Sequence, residues 1–212
     1  MPRRTNISPE KGDARTRLLD AARDVIRRKG FDATTVDDLC EAAGVTKGAY
    51  FHHFKSKEAL GVAAAETWSE QTGALFAAAS YQKVERPLDR ILAYVDLRMK
   101  LIDGDLPDFT CLVGTMAQVV YDQYPTIRDA CGESIAGHAE TLEAMIAEAV
   151  RESGADGDFS PQSLALHIQA SIQGAFVVAK AMNDSDRARD SLVHLRRYLE
   201  LVLKPTKETS NV

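Results

Sequence analysis

The sequence predicts an all-α protein of about nine helices, with an N-terminal three-helix helix-turn-helix domain followed by a larger helical body. Three observations carry this. Apolar residues recur at three- and four-residue spacing through most of the 212 residues. No segment reads as a credible strand. Ser/Thr caps, prolines at helix starts and glycines at helix ends divide the periodic stretches into separate elements.

Residues 1–12 are polar, carry Pro2 and Pro9, and are expected to form a flexible arm. From Asp13, Leu18, Leu19, Ala22, Val25 and Ile26 mark one face of a first helix that Lys29-Gly30 stops, and Phe31 is expected to fold back onto that face. Thr35 is placed to cap a second helix, with Asp38 three residues on and Asp37 in the first turn. Gly44 ends it near Ala43, Val45 plugs the turn, and Thr46 caps a third helix ending near Phe54. Ser56 caps a fourth, which runs through Leu60, Ala64, Trp68 and Leu75 toward Ala79 and is expected to connect head and body. Pro87 opens a fifth helix containing Leu88, Ile91, Leu92, Val95 and Met99. Asp103–Asp108 reads as a turn. A sixth helix is expected over 111–122 and a seventh from Pro125 to Arg151, with a loop over 153–158. The eighth and ninth cover about 161–182 and 186–203, and a polar tail follows Pro205. The implied domains are a helix-turn-helix unit over 13–56, a helical body over 57–204, and the tail over 205–212.

No apolar run approaches the roughly 20 residues that cross a bilayer. The three cysteines, Cys40, Cys111 and Cys131, are too few and scattered for a disulfide scaffold. The first residues lack the apolar core of a secretory signal, so a cytoplasmic protein is expected, with no membrane partner. The net charge of −5 hides an asymmetry: residues 1–57 carry a balance of +4, and the remainder −9. A basic end on an acidic body suits a module that docks on phosphates.

The segment Thr34–Leu60 has the layout of a DNA-reading unit, because residues that read a major groove project from the outer face of one helix near its N-terminus. Thr46 offers a hydroxyl and helix-terminal amides to a phosphate. Lys47 reaches a phosphate or a guanine edge, Gly48 and Ala49 permit close approach, and Tyr50 offers a ring and a hydroxyl. His52 and His53 are hydrogen-bonding candidates, or simple surface histidines; Tyr50 or Phe51 must partly serve the small core. Lys57 is placed for a phosphate clamp, and Thr35 for a second backbone contact.

These residues resemble the N-terminal domain of the TetR/AcrR family of bacterial transcriptional regulators. The resemblance covers residues 14–60 and lies in Leu19-Asp20-Ala21-Ala22, Gly30-Phe31, Thr34 to Leu39, Ala42-Ala43-Gly44-Val45, Lys47 to Phe54, and Lys57-Glu58-Ala59-Leu60. It implies a homodimer on a palindromic double-stranded operator, with one recognition helix per subunit and repression relieved by a small molecule bound in the body, which makes residues 57–204 an effector-binding and dimerisation domain. One departure stands out: the family often has Tyr, contacting a phosphate, where this chain has Phe51, which leaves Tyr50 or His52 for that role.

The resemblance places the dimer surface on the eighth and ninth helices. Residues Leu164, Ile168, Ile172, Gly174, Ala175 and Ala179 of the eighth and Leu192, Leu195, Leu199 and Val202 of the ninth carry that expectation; the competing reading is that these faces bury against the subunit's own body. It places the effector pocket among the fourth to eighth helices, where Trp68, Tyr94, Met99, Met116, Tyr121, Tyr124, His138, Met145 and Phe176 are candidates for an apolar or aromatic ligand, or else ordinary core. Cys111 and Cys131 leave open a redox- or electrophile-sensing regulator, and activation or control by a protein partner is a further alternative. No catalytic constellation, metal-ligand cluster, cofactor loop or nucleophile elbow is present in the sequence, so no enzyme, metal or cofactor is expected.

Overall fold

The computed structural model describes residues 13–155 and 158–204. The expected arm over 1–12, the tail over 205–212, and residues 156–157 of the expected loop lie outside the described residues. All regular structure among the described residues is helical: α1 (Ala14–Lys29), α2 (Val36–Ala43), α3 (Lys47–His53), α4 (Lys57–Ala78), a 3-10 turn (Ser80–Lys83), α5 (Pro87–Lys100), α6 (Leu106–Phe109), α7 (Leu112–Val120), α8 (Pro125–Ser153), α9 (Pro161–Met182) and α10 (Asp186–Val202). The tenth helix is α6, a single turn inside the stretch read as a turn from sequence. It forms because the Asp108 carboxylate accepts from the Asp105 amide and Pro107 sits in its first turn.

The caps explain the other boundaries. Asp13 accepts from the Thr16 amide at 2.8 Å and starts α1. Thr35 and Asp38 form a reciprocal capping box on α2. The left-handed Gly44 (φ +60°) ends α2, as few residues other than glycine do without strain. Thr46 accepts from the Ala49 amide at 3.2 Å, and Ser56 from that of Ala59 at 3.0 Å.

The chain divides into two compact units that interleave in sequence. One comprises residues up to Gln71 together with Cys111–Ser134; the other comprises Thr72–Thr110 and the chain from Ile135 onward. In the first, α1 packs on α2, α3 and α7. Its core is built from Leu18, Ala22, Ile26, Phe31, Leu39, Tyr50, Leu60, Leu112, Met116 and Ile127, all fully buried. Phe31 is pinned from three sides. Tyr124 meets it edge-on at 5.3 Å, the Lys57 ammonium lies 4.5 Å from its centroid, and Gly61 has no side chain because Phe31 and Ile127 fill that space. In the second unit, α10 packs on α9 and α5. Ile91, Tyr94, Val95, Ile102, Leu142, Ile146, Leu164, Ile168, Ile172, Leu192 and Leu199 fill its core.

Candidate nucleic-acid interface and effector region

The second helix of the helix-turn-helix, α3, has two sides. Tyr50 and Phe54, four residues apart, point inward: Tyr50 is fully buried and donates its hydroxyl to the Ser56 carbonyl at 3.2 Å. Burial pushes its phenol up to about 12. The structure thus corrects the sequence expectation for Tyr50, which is core rather than reader. The neighbour takes the outward place. Phe51, four residues after Lys47, is 54% exposed. Thr46, Lys47, Gly48 and His52 are exposed with it, while Ala49 and His53 are half-buried. An added Cβ at Gly48 would meet only Thr46 Oγ1, at 3.7 Å, so this face is open for close approach.

The cations on this surface differ in what they are free to do. Lys47 Nζ lies 2.7 Å from Asp37, both well exposed, so a phosphate can replace that carboxylate at little cost. Thr46 uses an oxygen lone pair as cap and keeps its proton for donation. Thr35 keeps neither donor: its hydroxyl and its amide both go to Asp38 at 2.9 Å. Lys57 is a second correction. Its ammonium donates to the carbonyls of Phe31, Asp32 and Thr34 at 3.1–3.3 Å, using its three protons to close the α1–α2 loop onto the start of α4. It is a staple, not a phosphate clamp. Lys55, not among the expected contacts, is exposed just after α3.

The nine effector candidates divide between the units. Trp68, Met116, Tyr121 and Tyr124 belong to the first. Tyr121 is 64% exposed, on the surface rather than in the core, a correction; Tyr124 is the edge partner of Phe31. Trp68 carries the Arg27 guanidinium 5.4 Å over its ring and borders a shallow cleft with Leu19, Asp20, Arg23, Ala64, Thr67, Gln71 and Leu112 that has room for about one water.

In the second unit, three of the five remaining candidates meet in one aromatic cluster. Tyr94 Oη and His138 Nε2 share a hydrogen bond of 2.9 Å. Phe76 lies 5.7 Å from Tyr94 and 4.7 Å from His138, and Tyr81 lies 5.5 Å from Tyr94. Arg98 spans Phe76 (5.2 Å) and Phe176 (5.9 Å), and Phe109 meets Phe176 edge-on. Burial, then the Arg98 charge, holds His138 down at about 4, so the ring is neutral at physiological pH. Met145 is buried and Met99 half-buried. Phe76, Tyr81 and Arg98 were not picked out from sequence; the i, i+4 relation of Tyr94 to Arg98 is the signal that places them on one face of α5.

The dimer candidates need the broadest correction. Leu164, Ile168, Ile172, Ala175 and Ala179 of α9, with Leu192, Leu195 and Leu199 of α10, are at most 5% exposed within the single chain. They are the protomer's own core. Gly174 is exposed and Val202 half-buried. The opposite side of α9 is the free one: Leu166, Ala170, Gly174, Val177, Val178 and Ala181 are exposed at helical spacing. On α10, Tyr198 and the 71%-exposed Leu201 match them.

Cys131 is fully buried, and burial, then Cys111, pushes its thiol up to about 12. Cys111 is half-buried and caps α7, its Sγ accepting from the Gly114 amide at 3.4 Å. Among the described residues no helix is long and apolar enough to cross a membrane, and no three His, Cys, Asp or Glu side chains are grouped to hold a metal ion.

Comparison with known proteins agrees with this architecture along the chain. Residues 18–64 match the family described as bacterial regulatory proteins, tetR family, and residues 87–195 match the tetracyclin repressor-like C-terminal domain. The chain is 26% identical to the transcriptional regulator AcuR of Cereibacter sphaeroides over 82% of its length and 79% of that protein's. It is 24% identical to the HTH-type transcriptional repressor DhaR of a Mycobacterium species, over 93% of this chain and 96% of that one. Among solved structures, a TetR-family regulator from Agrobacterium tumefaciens superposes with a TM-score of 0.78 at 20% identity, covering 89% of this chain and 97% of its own. The reduced form of NemR from E. coli gives 0.74 at 22%, covering 92% and 100%. These last two likenesses are of fold. With the family matched over both the reading head and the body, this chain belongs to the TetR family of DNA-binding transcriptional regulators.

Proposed function

We propose that the protein is a cytoplasmic, homodimeric repressor that holds a palindromic operator through two copies of α3 and releases it when a small molecule binds in the body, residues 57–204. The observation that carries the reading is the outward face of α3, where Thr46, Lys47, Gly48, Phe51 and His52 stand exposed beside one another on a closed three-helix core. Thr46 and Lys47 meet phosphates or a guanine edge, Ala49 and His53 flank them, and Phe51 offers apolar contact to a thymine methyl. Thr35 acts through its capped helix rather than by its own hydroxyl.

One head reads too few base pairs, and a two-fold pair spans successive major grooves about 34–36 Å apart. The dimer reading is supported by the exposed apolar stripe of α9 and α10, which a single chain leaves in water. Gly174 lets a second α9 approach closely there. Replacing Val177 with Glu puts an uncompensated charge into that contact. Light scattering is then expected to give a dimer for the natural chain and a monomer for V177E, with operator affinity lost in parallel. A dimeric V177E that still binds DNA overturns the assigned surface.

Release follows from differential binding: an effector that favours the body conformation with misplaced heads lowers DNA affinity by the ratio of its two affinities. The DhaR relative, itself described as a repressor, favours repression over activation.

A further inference from the structure

Among the described residues, Arg98 is the one charged side chain recorded against the rings of this cluster, since the His138 beside it is neutral. Its neighbours in sequence show how this chain treats a half-buried guanidinium. Arg90, two turns earlier on α5, meets Glu148 at 2.8 Å and the carbonyls of Val84 and Glu85 at 2.8 and 3.0 Å. Arg196 takes Asp96 at 2.8 Å, so the acid closest to Arg98 along α5 is already engaged, and at i, i+2 it faces another way. For Arg98, the contacts among the described residues are two rings, Phe76 and Phe176, with no carboxylate or carbonyl accepting from it.

This arrangement leaves the edge of the guanidinium open to an incoming acceptor. Arg stays charged at any physiological pH and carries five in-plane N–H donors. Rings beside it interact with the charge but accept none of those in-plane N–H bonds, which are left to solvent or to a ligand. Phe76 and Phe176 are nearly fully buried, so the half-buried guanidinium stands where the apolar core meets solvent, with no fixed anion among the described residues. A second unused donor belongs to the same unit. Gln169 is 6% exposed, and its Nε2 has no acceptor among the described residues. It stands two turns before Phe176 on α9 and shares its face.

We propose that Arg98 is the anchor for a carboxylate-bearing effector with an apolar or aromatic body: the carboxylate takes the guanidinium edge bidentately, and the body lies against Phe76, Phe176 and Tyr94. A monoanion matches the single charge of the cluster, whereas a phosphate dianion would leave one charge unbalanced. This rests on the effector reading above and narrows its chemical class.

The test uses the full-length protein and matched probes: 3-phenylpropionate, 4-phenylbutyrate and octanoate, each against its primary amide. Binding is followed by calorimetry and by the shift in melting temperature, and operator release separately by fluorescence anisotropy. At least one acid is expected to bind, its amide at least ~10-fold more weakly, with Arg98→Met losing at least ~10-fold and Arg98→Lys, which keeps the charge but not the fork, losing less. Helix content and the ligand-free melting temperature of both variants report whether they fold. Equal binding of acid and amide, undiminished binding by Arg98→Met, or no acid binding at millimolar concentration overturns the proposal. Acid binding that leaves the operator complex intact supports the Arg98 site while removing the release reading. Amides that bind and release DNA where acids do not leave the release reading standing and remove the anionic one.

Discussion

Two glycines on the same helix are expected to respond oppositely to alanine. A Cβ on Gly61 would stand 2.8 Å from both Ile127 Cδ1 and Phe31 Cε2, and 3.3 Å from Phe31 Cζ. Ile127 Cδ1 is the end of a flexible side chain and can rotate away. The Phe31 ring cannot, because Tyr124 and Lys57 hold it and it is fully buried. Overpacking of this kind costs about 1–3 kcal/mol. Replacing glycine by alanine inside a helix returns about 0.8–1 kcal/mol, so Gly61→Ala nets a loss of roughly 0–2 kcal/mol. A Cβ on Gly73, also in α4, meets nothing within 4 Å, so Gly73→Ala keeps the helix gain alone. At about 2–4 °C per kcal/mol for a chain of this size, melting followed by circular dichroism should fall by up to roughly 8 °C for G61A and rise by roughly 2–4 °C for G73A. A G61A protein as stable as G73A would refute the reasoning, since Phe31 would then have room to move.

Three further expectations come from single groups. Lys57→Met strands three carbonyls and should cost about 2 kcal/mol in urea denaturation while leaving the salt dependence of DNA binding unchanged; a slope reduced by about one would restore the phosphate clamp. His138 has a folded value of about 4, below its ordinary 6.5, so the neutral form is the one the fold favours. The stability it contributes, about 3 kcal/mol, is full above pH 6.5 and is lost as pH falls toward 4. His138→Gln should flatten the stability profile over that window, and an unchanged profile would place the titration elsewhere. Gln169→Leu removes an unpaired buried amide and should raise the melting temperature; a fall would mean that Nε2 has a partner.

The head was legible because its signals are local. Asp13, Thr35, Thr46 and Ser56 each cap the helix that follows, and Gly44 takes the left-handed turn, so five residues set the three-helix layout without reference to anything distant. Tyr50 and Phe51 were harder. Two adjacent aromatics on a seven-residue helix carry no period from which to tell inside from outside; the choice is made by the Ser56 carbonyl and the packing of Phe54 against Tyr50. On α9 and α10 the periodicity was right and the partner wrong. Both sides of α9 are apolar, and a sequence cannot say which one its own chain covers; α10 and the body take the Ile168–Ile172 side and leave the Val177 side free. The effector region was the least legible, because Tyr94 and His138 meet across 44 residues and Arg98 gains its character only from Phe76 and Phe176.

The measurement closest to the central claim is selection of bound duplexes from a random DNA pool by the purified protein, repeated across a range of salt. Two copies of α3 on a two-fold axis predict an enriched inverted repeat whose half-sites are spaced for successive major grooves. A lone half-site would contradict the dimer, and no enrichment at any salt would contradict sequence-specific reading by α3.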